Sequence, residues 1–198
     1  MGKIFNDIFK PIIVLFLICV IIPLALALTN SATSDRIAEL QQKNETETMQ
    51  KLVKAENYEP NNFSDGETKF NYYIAKNGET AEGYIFTTSA KGYGGEVSVM
   101  TAVSSEGKII EVAVLDVSNE TPGLGQNATK KSFYSQYEDK KRGVELVVKA
   151  TPEEGKNQVM AISGATITST AVNNAVNEAL DNFKMIKDNF SEVTGIEK

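Results

Sequence analysis

KFNYYIAKNGETAEGYIFTTSAKGYGGEVSVMTAVSSEGKIIEVAVLDV, residues 69–117, is the stretch on which the fold turns. Four runs within it, at 69–76, 83–89, 96–104 and 108–117, are rich in β-branched and aromatic residues. Asn77-Gly78, Gly92-Tyr93-Gly94-Gly95 and Glu106-Gly107 separate them. Runs of that composition between short turn signals predict strands that pair with their sequence neighbours, an antiparallel meander.

Beyond Val117 the pattern predicts a loop, SNETPGLGQNAT (118–129), a short helix over 130–137 and a further strand, VELVVKA, over 144–150. A long helix is expected from near Thr168 to about Phe190. Val172, Val176, Leu180, Phe183, Ile186 and Phe190 recur there at steps of three and four, which makes one apolar stripe for a sheet to cover. Strands followed by a packed long helix predict an α+β domain.

Toward the N-terminus, NYEPNNFSDGE (57–67) reads as a linker of turn residues. DRIAELQQKNETETMQKLVKA (35–55) reads as a polar stalk helix, frayed near Asn44, with apolar Ile37, Leu40, Met49, Leu52 and Val53. PIIVLFLICVIIPLALAL (11–28) is an uncharged run of about 18 residues, enough to span a bilayer. Lys3 and Lys10 outweigh Asp7 ahead of it, which predicts a cytoplasmic N-terminus and an extracytoplasmic remainder. Small residues at Ala25, Ala27 and Ala32 allow a cleaved signal, but the run exceeds a typical h-region and no clean A-x-A site closes it, so it reads as a retained anchor. Pro23 is tolerable inside such a helix, and Cys19 reads as a small buried hydrophobe. The expected organisation is thus a cytoplasmic segment 1–10, a transmembrane helix 11–28, stalk and linker 29–67, and an extracytoplasmic domain 68–198.

Composition narrows the chemistry. The 198 residues carry 20 basic and 26 acidic side chains, a net charge of -6, with no histidine and one cysteine. That removes Ser-His-Asp and Cys-His nucleophiles, His-ligated haem and the usual His-containing zinc and copper sites. It also removes an intrachain disulfide and an iron–sulfur cluster on the chain's own thiolates. Redox chemistry here requires an organic cofactor. The acidic balance argues against a nucleic-acid partner. Five Asn-x-Ser/Thr triplets, at Asn44, Asn62, Asn119, Asn127 and Asn189, read as chance in a chain this rich in Asn and Thr. A glycosylated ectodomain would more often carry disulfides.

Two loops stand out. AISGATITSTA (161–171) leads into the last helix through Ser163, Gly164, Ala165, Thr166, Thr168, Ser169 and Thr170, seven small residues of which five carry hydroxyls. A helix start presents unpaired amides and partial positive charge, and small residues let an anion come close to them. On local chemistry alone, Thr168 or Ser169 capping the helix is the plainer reading. In Glu120-Thr121-Pro122-Gly123-Leu124-Gly125, Pro then Gly favours a tight turn with positive φ, and the second Gly permits a close backbone approach.

GYGG at 92–95, ETPGLG at 120–125 and SGAT at 163–166, in that order behind one apolar segment, resemble the FMN-binding family. That family includes the G subunit of the Rnf electron-transport complex and the C subunit of the sodium-pumping NADH:quinone reductase. The resemblance covers the anchor and residues 69–190. It implies FMN joined through its phosphate to the side-chain oxygen of Thr166 by a separate flavin transferase. It further implies Ser163, Gly164 and Ala165 beside the phosphate, and Thr121, Gly123 and Leu124 near the ring. Thr168 and Ser169 then donate to the phosphate or cap the helix. Where the family usually has an acidic residue three positions before the motif's serine, this chain has Met160. Lys130 and Lys131 are candidates to offset phosphate charge, though solvated lysines at a helix start are the plainer reading. Tyr93 stacks on a ring or packs in the sheet, and Asp116 and Glu120 are candidates to tune the flavin or bind a cation.

The short linker favours the Rnf subunit over its relative. The expected protein is a single-pass cell-membrane flavoprotein with covalent FMN, part of an ion-translocating ferredoxin:NAD+ oxidoreductase and not complete alone. Its expected partners are the bilayer, the flavin transferase and the membrane, iron–sulfur and flavin subunits that hold the other centres. The quinone-reductase subunit and a non-enzymatic anchored binding module are the alternatives.

Overall fold

A computed structural model describes residues 9–194, so Lys3 and Asp7 of the expected cytoplasmic segment lie outside the described residues. The chain divides into two units, one up to Thr46 and one from Glu47 onward.

The first unit is helical. Helix α1 spans Lys10–Leu52 and carries Pro23 within it. Lys10–Ser34 is long and apolar enough to cross a membrane, with mean hydropathy 3.1 over its most apolar window. One correction to the sequence reading arises here. The helix does not fray at Asn44 but continues to Leu52. Cys19 is exposed on this apolar helix, uncovered by protein.

In the second unit, β1 (Asn57–Ser64), β2 (Lys69–Asn77), β3 (Thr80–Lys91), β4 (Glu96–Val103) and β5 (Ile109–Asp116) form one antiparallel sheet in chain order. The meander is as expected, but its first strand is not. Residues 57–64, read as linker, pair with β2 from Asn57 opposite Lys76 to Ser64 opposite Lys69. Pro60 lacks an amide, and an edge strand is where a sheet tolerates that.

Helix α3 (Thr166–Thr194) packs across β3 and β4. The stripe read from sequence faces the sheet: Val172, Val176, Leu180, Phe183 and Ile186 are buried against Phe86, Val97, Val99 and Val103. The side chain of Phe190 lies outside the described residues. Thr88 donates to the Ala175 carbonyl at 2.8 Å, which ties sheet and helix together. The opposite face of the sheet is covered by the last residues of the segment read as stalk. Met49, Leu52 and Val53 bury against Ala75, Ile85, Met100 and Ala102.

The loop after β5 contains 3-10 turns at Gly125–Thr129 and Ser135–Tyr137 flanking a one-turn helix α2, Lys131–Tyr134. Next comes β6 (Glu145–Val147), which pairs in parallel with β7 (Gln158–Met160). The strand is shorter than the expected 144–150, because Lys149 adopts φ 63 and turns the chain out of extended conformation. Its start is pinned by α3. Asn177 accepts from the Gly143 and Val144 amides at 3.1 and 2.9 Å and donates to the Val144 carbonyl at 3.0 Å. Replacing it with alanine strands the Val144 amide, whereas the Val144 carbonyl keeps a bond from Asn173 at 2.9 Å and the exposed Gly143 amide turns to water. Asn177→Ala is expected to cost about 1–3 kcal/mol, read as a lowered urea midpoint with an unchanged slope.

Candidate functional site

The three glycine-bearing stretches are far apart in sequence and meet at one buried carboxylate. The 92–95 turn links β3 to β4 and is closed by Gly92 N–H to Gly95 O at 2.7 Å. Glu120, only 2% exposed, accepts from the Gly94 amide at 2.9 Å. Its other oxygen accepts a short hydrogen bond from the Thr168 hydroxyl in the first turn of α3. Room for this arrangement comes from absent side chains. A Cβ at Gly92 would lie 2.5 Å from the Glu120 carboxylate, and one at Gly125 would lie 2.7 Å from both Glu120 and Thr168. Gly92 and Gly125 therefore admit Glu120, a purpose that the sequence did not reveal.

Two similar turns flank the cluster. Leu124 N–H reaches Thr121 O at 3.1 Å with Gly123 at φ 76, as the Pro-Gly pair predicts. Ala165 N–H reaches Ile162 O at 3.0 Å with Gly164 at φ 77. Leu124 lies against Gly164, where a Cβ would come within 3.1 Å of it. The second turn delivers the chain into α3, whose first residue is Thr166, two positions earlier than expected.

The hydroxyls at this helix start then sort themselves. Thr168 is spent on Glu120. Ser169, fully buried, donates to Ala165 O and accepts from the Ile162 amide, both at 2.9 Å, so it staples the turn to the helix. Thr170 donates to Thr166 O at 2.8 Å. Among the described residues, no hydrogen bond engages the hydroxyl of Ser163 or Thr166, and both residues are exposed. The amides of Thr166, Ile167 and Thr168 precede the first bond of the helix, Ser169 N–H to Ala165 O, and have no intrahelical acceptor.

Two hollows adjoin Thr166. The first, about 550 Å³, is walled by Tyr93, Thr121, Leu124, Gly164 and Ile167, with Glu120, Gly125, Ala165 and Thr168 behind them. The second, about 400 Å³, is walled by Val148, Lys149, Met160, Ile162 and Ser163. Thr166 and Gly164 belong to both. Tyr93 does not pack in the sheet: it is 71% exposed at the first hollow, where Leu124 and Ile167 are also exposed. Gly123 and Ser169 line neither hollow, and they act through the turn and the staple instead. Lys130 and Lys131 line neither, whereas Lys149, which the sequence reading overlooked, lines the second. Asp116 lies outside both, and its carboxyl is held below the usual range by the Ser118 amide at 2.8 Å. Among the described residues no cluster of three metal-ligating side chains occurs.

Residues 92–181 match the family described as FMN-binding domain. The chain is 35% identical to the G subunit of the proton-translocating ferredoxin:NAD(+) oxidoreductase complex of Clostridium ljungdahlii, over 89% of this chain and 91% of that protein. The chain belongs to this G-subunit family. It is also 37% identical to the G subunit of the Na(+)-translocating ferredoxin:NAD(+) oxidoreductase complex of Acetobacterium woodii, over 87% of this chain and 90% of the relative. In fold it is similar to the crystal structure of Shewanella oneidensis NqrC, at TM-score 0.50 and 24% identity. That likeness covers 55% of this chain and just over half, 54%, of the other.

The G-subunit site fits a flavin mononucleotide. The first hollow has the volume of a ligand cleft and exposed apolar walls for a flat ring. Three unpaired amides suit a phosphate beside it.

Proposed function

We propose that this chain is the G subunit of an Rnf-type ion-translocating ferredoxin:NAD+ oxidoreductase, a membrane-anchored electron carrier with FMN esterified to the Thr166 hydroxyl. One observation carries the attachment point: Thr166 is exposed at the first position of a 29-residue helix, and its hydroxyl is left unengaged there.

The chain's residues divide the work. The amides of Thr166, Ile167 and Thr168 and the positive end of α3 hold the phosphate. Gly164 keeps the backbone open beside it. Leu124, Ile167 and Tyr93 supply the walls against which the ring lies, and Thr121 borders its polar edge. Ser163 faces the second hollow. The hydroxyls of Thr168 and Ser169, buried and already bonded, shape the turn and leave the cofactor to the backbone amides. When bound, the flavin supplies one- and two-electron transfer, and the protein sets its access and potential. With one cysteine and no histidine, the chain leaves iron–sulfur clusters to partner subunits. Lys10 ahead of the apolar segment supports a cytoplasmic N-terminus, with the flavin domain on the far side of the cell membrane.

The test is the intact mass of full-length protein co-expressed with a flavin transferase. Its expected value is that of the polypeptide plus one FMN less one water, and the denatured band should fluoresce. An unmodified mass, despite a transferase active on a control substrate, would refute the reading and favour a binding module with an unloaded cleft.

A further inference from the structure

Glu120 is a buried charge of the site to which the proposed function gives no task. Its carboxylate is held by one amide and one hydroxyl, and among the described residues no lysine or arginine pairs with it. Among the described residues it is also the one charged side chain lining the first hollow. A neutral glutamine of the same shape would serve the hydrogen bonds nearly as well, so the geometry alone does not require an anion.

We propose that the Glu120 carboxylate keeps the reduction potential of the flavin low. This rests on the reading that the ring occupies the first hollow. Each electron entering the ring adds a unit of negative charge until a proton follows it. A fixed anion in the same cleft opposes that charge and favours the oxidised form. Because Glu120 is cut off from solvent, salt and water screen it weakly. Among the described residues, the only cation lining either hollow, Lys149, lies in the second one. Glu120 is thus a tuning residue as well as the clamp that joins the 92–95 turn to α3.

The experiment is a spectroelectrochemical titration of loaded, full-length protein. In Glu120→Gln the oxidised-to-reduced ratio at a fixed potential should fall on the order of tenfold, about 59 mV upward for a one-electron step. Thr168→Val, which removes one donor and keeps the charge, should not raise the potential. An unchanged potential in Glu120→Gln, or an equal rise in both variants, would overturn the proposal, the latter because a loosened turn would then explain it. If Glu120→Gln fails to fold or load, Glu120→Met removes the charge with an uncharged side chain of similar length. An upward shift there supports the proposal, and none refutes it. Wild-type protein without flavin would sink the functional reading together with this one, whereas loaded protein with an unmoved potential sinks this one alone.

Discussion

Thr166→Val, made beside a working flavin transferase, is expected to yield a colourless protein of unmodified mass with the melting behaviour of the wild type. The substitution swaps one hydroxyl for a methyl on a β-branched side chain of similar shape. Thr166 is exposed, and its carbonyl, which accepts from Thr170, is untouched. Surface changes of this kind move stability by about 0.5 kcal/mol or less. Loss of flavin should nonetheless be complete, because a phosphoester needs an oxygen to form on. Thr166→Ser restores the oxygen and should restore the flavin mass, at least in part. Ser163→Ala removes the neighbouring unengaged hydroxyl and should leave the flavin mass intact. If Thr166→Val still carries covalent flavin, or if Ser163→Ala loses it while Thr166→Val does not, the attachment point is wrong.

That experiment separates two hydroxyls which local chemistry alone, without the family resemblance, could not. SGAT and its followers presented five hydroxyls near one helix start, and any of them suited a phosphate or a cap. Three are engaged by partners that the fold supplies: Glu120 for Thr168, Ala165 and Ile162 for Ser169, and Thr166 for Thr170. The last two are local, but the first is a contact between residues 48 apart. No local pattern encodes such a closure.

The fold was more legible than the site because its signals repeat. The β-branched and aromatic runs of β2 to β5 and the three-and-four spacing in α3 each draw on many residues, so single exceptions do not hide them. Where the signal was weak, the reading failed. In residues 57–64 three asparagines, a glutamate and a proline cover a partly exposed edge strand, so little apolar alternation remained to betray the pairing. Lys149, neither Gly nor Asn, gave no warning of the positive φ that shortens β6. Met49, Leu52 and Val53 were visible as apolar positions, but only the fold reveals that they cover the second face of the sheet.

The glycines were legible as punctuation, yet their purposes differ, and Gly94→Ala should expose the difference. Gly94 is not at positive φ, so an alanine there faces no backbone strain. Its Cβ, however, would lie 2.7 Å from the carbonyl carbon of Asn119 and closer still to the oxygen. Backbone stands on both sides of that contact, so the 92–95 turn must move away from residue 119. The Gly94 amide then leaves Glu120, and a buried carboxylate oxygen loses its partner. Overpacking costs about 1–3 kcal/mol and an unsatisfied buried acceptor about 1–3 more, which together come to roughly 2–6 kcal/mol. Against a typical domain stability of about 5–15 kcal/mol this is a large share. Gly123→Ala is the contrast. Its φ is 76 but its Cβ would meet nothing within 4 Å, so only strain remains, about 1–2 kcal/mol. Chemical denaturation of the full-length protein in detergent should therefore rank Gly94→Ala well below Gly123→Ala. Flavin loading should fall with Gly94→Ala, because the clamp that sets one wall of the cleft has been opened. Equal stabilities for the two variants would mean that the 92–95 turn yields easily, and that Glu120 does not depend on it.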